Sequence, residues 1–513
     1  MARTLIRFGM VCLCMALVVS LVPAAGQRDA AARPDERFEF DFMTWEVPAV
    51  RDAVWFEPLQ EAANVRINLI DGGDRSVYYQ NIDLRLASRD IPDTLVVDMT
   101  QADLYGPQGA FVDWAPHIDQ IGPNIRQFAD DNPMFEALVT TDAGNIFAVP
   151  FEQPAVPWVV AMYREDVFDE LGLSLPTDTD ELLEVLRQLK AANPDPGFYP
   201  ISAVNLGLFI VGFFQDAFGA EAQTPGPDGA LTGHYAEWGG GQDLLAPGYR
   251  DMIEYLKVLY EEGLADPEMI HDAHNEEVWG AKMINGDSVI TAHHYSRTAR
   301  FTTAGRELDP DFLMSPMVPL QRPDGSRRYY MAPRFALTWS TAIGSPTRDP
   351  ASIVRFYDYL FSDEGNAFLN WGIEGRSYEW VDGERRYIIS WDDVMYPRDD
   401  GQMWSLIQTQ FRFAAPADHE AAAALESDPF PWVPEFQQYL YSPKQLKVPG
   451  EDLVRISEIA PRLNEEIAAG RIAFITGDRP MNEWDSFVQS IIDLGYKEVT
   501  AINQRWFDKL YAR

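Results

Sequence analysis

Cysteine is almost missing from this chain. Its two cysteines, Cys12 and Cys14, both lie in the opening stretch MARTLIRFGMVCLCMALVVSLVPAAGQ. That stretch has the layout of a secretory signal: Arg3 and Arg7, an apolar run from Met10 to Val22, then the small residues Ala24, Ala25 and Gly26. Residues 1–26 are therefore read as a signal peptide cleaved near Gly26. The exported protein then has neither disulfides nor thiol chemistry. Residue 27 is glutamine, so a lipid-bearing cysteine at the mature N-terminus is not expected, and a free periplasmic protein is. Long apolar runs are equally scarce. The first is too short for a comfortable membrane span, and none that follows is long enough to cross a bilayer.

Positive charge is the next shortage. Lysine and arginine number 41 against 79 acidic residues, for a formal net charge of −38, and only seven of the basic residues are lysine. Nucleic-acid binding needs clustered Lys and Arg against phosphate, so a nucleic-acid partner is excluded. An anionic membrane surface would repel the chain as well. Such acidity suits salty surroundings, but a general compositional bias explains it more simply. Internal repeats and low-complexity tracts are also absent.

What is present is length and aromatic surface. The chain left after the signal is too long for one ordinary core, so two lobes are expected. Aromatics make up 12% of the sequence, with 14 tryptophans, more than a plain scaffold needs. Some of them are expected to face a ligand.

The N-terminal pattern alternates strands and helices. FEFDFMTW (38–45) and VRINLI (65–70) alternate as strands, and IPDTLVVDM (91–99) carries a buried strand ending at Asp98. Helices are read over 53–64 and 78–90 between them. This order predicts a mostly parallel sheet with helices on its faces. GNIFAVPFEQPAVPWVVAMYRED (144–166) is two short β-rich runs broken by Pro150, Pro154 and Pro157. Proline is poor inside a central strand, so this segment reads as a crossing between lobes. LPTDTDELLEVLRQLK (175–190) is a helix with a cap-box-like start at Thr177 and Asp180. A Gly/Pro-rich loop (224–242) carries Trp238, and a further helix covers 249–267. DSVITAHHY (287–295) reads as a strand, and MAPRFALTWSTAIG (331–344) as a second β-rich connection. Helices follow over 349–361, with Asp349 as cap and Pro350 at the first position, over 362–372, and over 479–496.

Five segments, taken in order, carry a family resemblance: GNIFAVPFE, MYREDVFDELGLSLPTDTDELLEVLRQLK, YLKVLYEEGLADPE, FYDYLFSDEGNAFLNWGIEG and FITGDRPMNEWDSFVQSIIDLGY. Together they resemble the bacterial extracellular solute-binding proteins of family 1, in the LipO-like carbohydrate-associated group. The resemblance runs from about Phe38 to the C-terminus. It implies an α/β fold of the two-lobed, periplasmic-binding-protein-like (type II) kind, with hinge crossings and a ligand cleft between lobes. On this reading one lobe is 37–152 plus about 300–340, and the other is 153–299 plus about 341–513 with a C-terminal helical region. It also implies capture of a sugar or oligosaccharide and delivery to the permease of an ABC transporter, without catalysis or cofactor, by a monomer. The absence of a lipobox cysteine departs from the LipO-like pattern and puts membrane anchoring in doubt.

Sugars show flat C–H faces and a rim of hydroxyls, which aromatic rings and polar side chains respectively recognise. Ligands of open parallel sheets sit beyond the carboxyl ends of strands. Those ends carry Trp45, Asp98, Glu152, His293 and Tyr295. Trp158, Arg334 and Trp339 lie in or beside the crossings, Trp238 in the glycine-rich loop, and Trp114 completes the tryptophan candidates. In WGIEGRSYEW (371–380), Trp371, Glu374 and Arg376 are candidates too. There Trp371 and Glu374 are expected to face the ligand while Tyr378 and Trp380 pack. Each tryptophan has lobe core as its alternative role, and Glu152 has a hinge salt bridge as its alternative.

Two other functions compete. A secreted glycoside hydrolase or lyase needs only a suitably spaced carboxylate pair, which 79 acids supply by chance. No nucleophile elbow, HExxH or P-loop is present. Binding of a non-sugar solute is the other. A metal site in HDAHNEE (271–277), with His271, Asp272, His274, Glu276 and Glu277 beside His293 and His294, has suitable ligand types but no standard spacing. An acidic solvated face is the preferred reading there, and no metal is expected.

Overall fold

The computed structural model describes residues 37–45, 47, 51, 53–73, 75–153, 159–220, 243–270, 276–294, 297–330, 334–389, 413–418, 421, 436–441 and 444–511. Strand β1 (Phe38–Thr44) turns Phe40, Phe42 and Met43 inward. It lies between β2 (Val65–Asp71) and β3 (Thr94–Val97), parallel to both. Every residue of the run TLVV in β3 is buried, as expected of a strand covered on both faces. The helices Phe56–Ala62 and Arg75–Ser88 make the connections. Strand β4 (Ala148–Glu152), also buried throughout, ends at the first crossing.

The second lobe begins with β5 (Val160–Arg164), flanked by β6 (Ile290–His293) and β7 (Met314–Pro316), both antiparallel to it. The helix Thr179–Ala192 buries Leu182, Val185, Leu186 and Leu189. Its cap is Asp178, whose carboxylate accepts from the Glu181 N–H at 2.9 Å, while Glu181 reaches back to the Thr177 N–H and hydroxyl. The cap box is therefore one residue from its expected register. The helix Pro247–Glu261 adds Met252, Ile253, Leu256 and Leu259 to the same core.

The chain then passes through β8 (Tyr329–Tyr330) and returns as β9 (Phe335–Ile343). This segment was expected as a connection. It is instead a strand inserted antiparallel between β3 and β4, giving the order β2-β1-β3-β9-β4. Buried residues at both its ends, Phe335, Ala336, Ala342 and Ile343, suit a strand as well as a linker, and only the sheet selects between them. The helices Pro350–Phe361 and Asp363–Trp371 cover this sheet, with Phe356 against Phe40 at 5.3 Å. Asp349 caps the first of them, accepting from Ser352 N at 3.0 Å.

Core packing apportions the chain differently from the boundaries expected at 300–340 and 341. Residues 342–369 and 413–415 share the first core, whereas Met317 and Leu320 belong to the second. A hairpin, β10 (Tyr378–Val381) and β11 (Glu384–Tyr387), follows the helix Asp363–Trp371. Strand β12 (Leu440–Tyr441) pairs with β8. The helices Gly450–Thr476, Trp484–Asp493 and Tyr496–Tyr511 close the chain. They return to the second core through Leu463, Phe474, Ile475, Trp484 and Tyr496. The last helix also reaches the first lobe, where Leu510 packs on its core and Lys509 meets Asp142 at 3.0 Å. No helix among the described residues is long and apolar enough to cross a membrane.

Candidate functional site

Strands β1 to β4 run in one direction, so their carboxyl ends, Thr44, Asp71, Val97 and Glu152, share one edge of the first sheet. Strand β9 enters at that edge, with Phe335 opposite Glu152. In the second lobe, β6 ends at His293 opposite Val160, where β5 begins. A fully extended chain from Glu152 to Val160 spans at most about 28 Å, so these two strand ends lie within that distance of each other. The candidate site is the space they flank.

On the first edge Trp45 is only 2% exposed and sits edge-on to Tyr78 at 4.9 Å. It is core, not a platform. Trp339 is the half-buried member of the same aromatic group, stacked on Phe151 with a 3° interplanar angle and 6.5 Å from Trp45. Asp98 caps the helix Met99–Tyr105, accepting from Thr100 N at 2.6 Å in a capping box with Gln101. Burial pushes its carboxyl up from the ordinary value. Trp114 is fully buried against Tyr357 at 5.3 Å and heads the helix Ala115–Ile121. It has no surface to offer a ligand.

Glu152 holds the crossings together. Its buried carboxylate accepts from Arg334 Nε at 2.5 Å and from Ala417 N at 3.1 Å. Its backbone N–H donates to the Ala415 carbonyl at 2.8 Å, and Gln153 N donates to the Arg334 carbonyl at 2.7 Å. Arg334 extends the network to Asn132 at 2.6 Å. This is the hinge salt bridge named above as the alternative role of Glu152.

On the second edge His293 is buried, stacked on Trp279 at 4.7 Å and edge-on to His294 at 4.8 Å. Its Nε2 is 3.6 Å from Glu276, which also pairs with Arg297. Burial lowers the imidazole pKa, so His293 is neutral at pH 7. The neighbouring His293 imidazole and the Arg297 guanidinium hold the Glu276 carboxyl down at about 2. His293 Nδ1 is buried with no hydrogen-bond partner. Glu276, Trp279 and Arg297 were not singled out as a group, because helix spacing does not reveal that they converge on β6. Among the described residues no group of three or more His, Cys, Asp or Glu could hold a metal ion. His271, Asp272 and His274 lie outside the described residues, as do Trp158, Trp238 and Tyr295.

In WGIEGRSYEW the two tryptophans exchange the expected roles. Trp371 is 2% exposed; its Nε1 donates to Asp418 Oδ2 at 2.7 Å and its ring stacks on Tyr387 at 4.8 Å. Glu374 and Arg376 are exposed in the turn that follows. Gly372 has φ +83°, and a Cβ there would meet the Ser377 hydroxyl at 2.3 Å, so this turn requires glycine. Tyr378 packs, as expected, but Trp380 is 51% exposed. A cavity of about 670 Å³, lined by Met134, Lys447, Trp506 and Leu510 among others, lies between the helices Pro133–Val139 and Tyr496–Tyr511.

A family model described as bacterial extracellular solute-binding protein matches residues 48–367. The fructooligosaccharide ABC transporter substrate-binding protein FusA of Streptococcus pneumoniae is 20% identical, and the match covers 96% of each chain. Among solved structures, the alginate-binding protein AlgQ2 superposes with a TM-score of 0.71 at 19% identity, over 92% of this chain and 98% of that one. A solute-binding protein of Bifidobacterium longum infantis, described as binding HMO, gives a TM-score of 0.70 at 17% identity, over 93% and 100%. At these identities the structures share the fold, which is the two-lobed α/β type.

Proposed function

This chain belongs to the bacterial extracellular solute-binding protein family, and we propose that it captures a saccharide between its two lobes and hands it to the permease of an ABC transporter. The observation that supports this reading is the Glu152–Arg334 pair, which ties the end of β4 to the start of β9 within one short chain segment of the second sheet. A cleft between lobes closes by bending at its crossings. The relatives described as binding fructooligosaccharide, alginate or HMO support a saccharide over other solutes. The fold itself does not select among these sugars, since neutral and acidic chains are both represented.

The lobes of this proposal are the two cores, with the hinge at Glu152 and Arg334. Trp339 and Asp98 on the first edge are the proposed ligand contacts. The protein acts in the periplasm as a monomer and leaves the sugar chemically unchanged.

The test is a thermal-shift screen of the chain without residues 1–26 against neutral and acidic oligosaccharides, paired with an assay for new reducing ends. A ligand that binds only the folded state raises the melting point by mass action. A rise with one sugar class and no new reducing ends supports capture. Turnover makes the protein an enzyme, and a flat panel removes the saccharide.

A further inference from the structure

In the hairpin, Tyr378 pairs with Tyr387 and Trp380 with Arg385. Side chains alternate faces along a strand, so these four share one face. That face is the inner one: Tyr378 and Tyr387 pack on the buried Trp371. Glu379 and Arg386, on the other face, are exposed. An indole on the inner face of a hairpin is ordinarily covered. Trp380 is not; half of it is open to solvent beyond the end of the small core. Beside it the Arg385 guanidinium lies 5.1 Å from the Trp380 ring centre and 5.7 Å from those of Trp371 and Tyr378. Arg385 Nε is buried and makes no hydrogen bond.

The hairpin is tied to the edge that flanks the cleft. Trp371 donates to Asp418, and the residue before it, Ala417, donates to Glu152 at the carboxyl end of β4. An open aromatic face and the half-buried Arg385 guanidinium therefore sit together beside the rim of the first lobe. Sugars match this pair. The apolar C–H face of a ring lies on the indole, and a ring or hydroxyl oxygen takes the guanidinium N–H.

We infer that Trp380 and Arg385 form an outer saccharide subsite at the mouth of the cleft, so that the ligand is an oligosaccharide long enough to reach from the strand ends to the hairpin. This rests on the saccharide reading above. It assigns the stacking role in this segment to Trp380, because Trp371 is consumed by the core. A short sugar occupies the strand-end contacts alone and leaves the hairpin untouched; a longer one covers the exposed indole.

The experiment is a calorimetric titration of wild type, W380A and R385M with a disaccharide, a trisaccharide and a pentasaccharide of the class that shifts the melting point. Because half of Trp380 faces solvent, W380A should melt like wild type without ligand, which controls for folding. The expected result is a loss of roughly fivefold to tenfold in pentasaccharide affinity, with the disaccharide unchanged. The change in tryptophan emission caused by pentasaccharide should also be smaller in W380A than in wild type, while that caused by disaccharide should be the same in both. Equal affinities of wild type and W380A at every length overturn the subsite while leaving saccharide capture intact. Unchanged affinity combined with slower uptake through the reconstituted transporter overturns it too, and makes the hairpin a transporter contact. If wild type binds no saccharide, the functional reading fails first and the subsite with it.

Discussion

The Arg334 guanidinium donates to the Glu152 carboxylate at 2.5 Å, joining the last residue of β4 to the residue before β9. One partner is 3% exposed and the other 45%. The pair ties the end of β4 to the start of β9 at one point.

Removing either partner should cost stability. E152A leaves the Ala417 N–H and Arg334 Nε without their acceptor and is expected to lose about 1–3 kcal/mol of unfolding free energy. R334M leaves the buried Glu152 carboxylate without its cation and should lose at least as much. Urea melts of both variants check this. A loss under about 1 kcal/mol in R334M would show that Arg334 does not stabilise the buried carboxylate.

Acid should weaken the fold through two groups that act in the same direction. The buried His293 faces Glu276, Arg297, Arg300 and His294. Its folded pKa lies below the ordinary value of about 6.5, so the unfolded chain takes up the proton first. Stability therefore falls as pH drops from about 6.5 toward the lowered folded value. Glu276 has its folded pKa depressed to about 2. Its contribution is present above the unfolded value of about 4.3 and is lost as pH falls through about 2. H293F should flatten the first part of a plot of melting temperature against pH and shrink the second, because it also removes the imidazole that helps hold the Glu276 carboxyl down. An unchanged profile would show that His293 is not the group responsible.

Trp371 is predicted to behave as a core residue. W371F loses the indole bond to Asp418 and part of the stack on Tyr387. The expected cost is about 1–3 kcal/mol, measured by chemical denaturation, with the affinity for a disaccharide unchanged. A stable W371F that no longer binds the disaccharide would return this residue to the ligand.

The C-terminal helix gives a paired test of buried against exposed contacts. The Tyr496 hydroxyl donates to Asp243 Oδ1 at 3.0 Å and accepts from Leu244 N at 3.1 Å, all buried. Y496F should cost about 1–3 kcal/mol. Lys509 and Asp142 meet at the surface, and K509A should change stability by less than about 1 kcal/mol, less still at high salt. Salt-insensitive destabilisation by K509A would contradict a surface pair.

Local pattern carried much of the architecture. Alternation in 38–45 and 65–70, the leucine stripe at 182–189 and the Asp349–Pro350 start are properties of neighbouring residues, and each formed as read. Part of the segment read as a crossing, Ala148–Glu152, is instead the strand β4, which carries Pro150 at the edge of the sheet, where proline is tolerated. The capping position slipped by one residue because Thr177, Asp178 and Asp180 are all competent caps, and only the chain's entry into the helix chooses Asp178.

The sequence by itself determined that this chain is acidic, bears an export-like start, and alternates strands with amphipathic helices, since those follow from composition and short-range period. Tertiary structure alone decided which aromatics are covered. Trp45, Trp114 and Trp371 look like ligand platforms in one dimension and are core in three. Trp380 looks like packing and overhangs the hairpin. It also decided that 335–343 is an inner strand and that 353–369 belongs to the first lobe. Burial depends on what the rest of the chain places over a side chain, and strand partnership on which unpaired edge the returning segment meets. Neither quantity is a property of the segment itself.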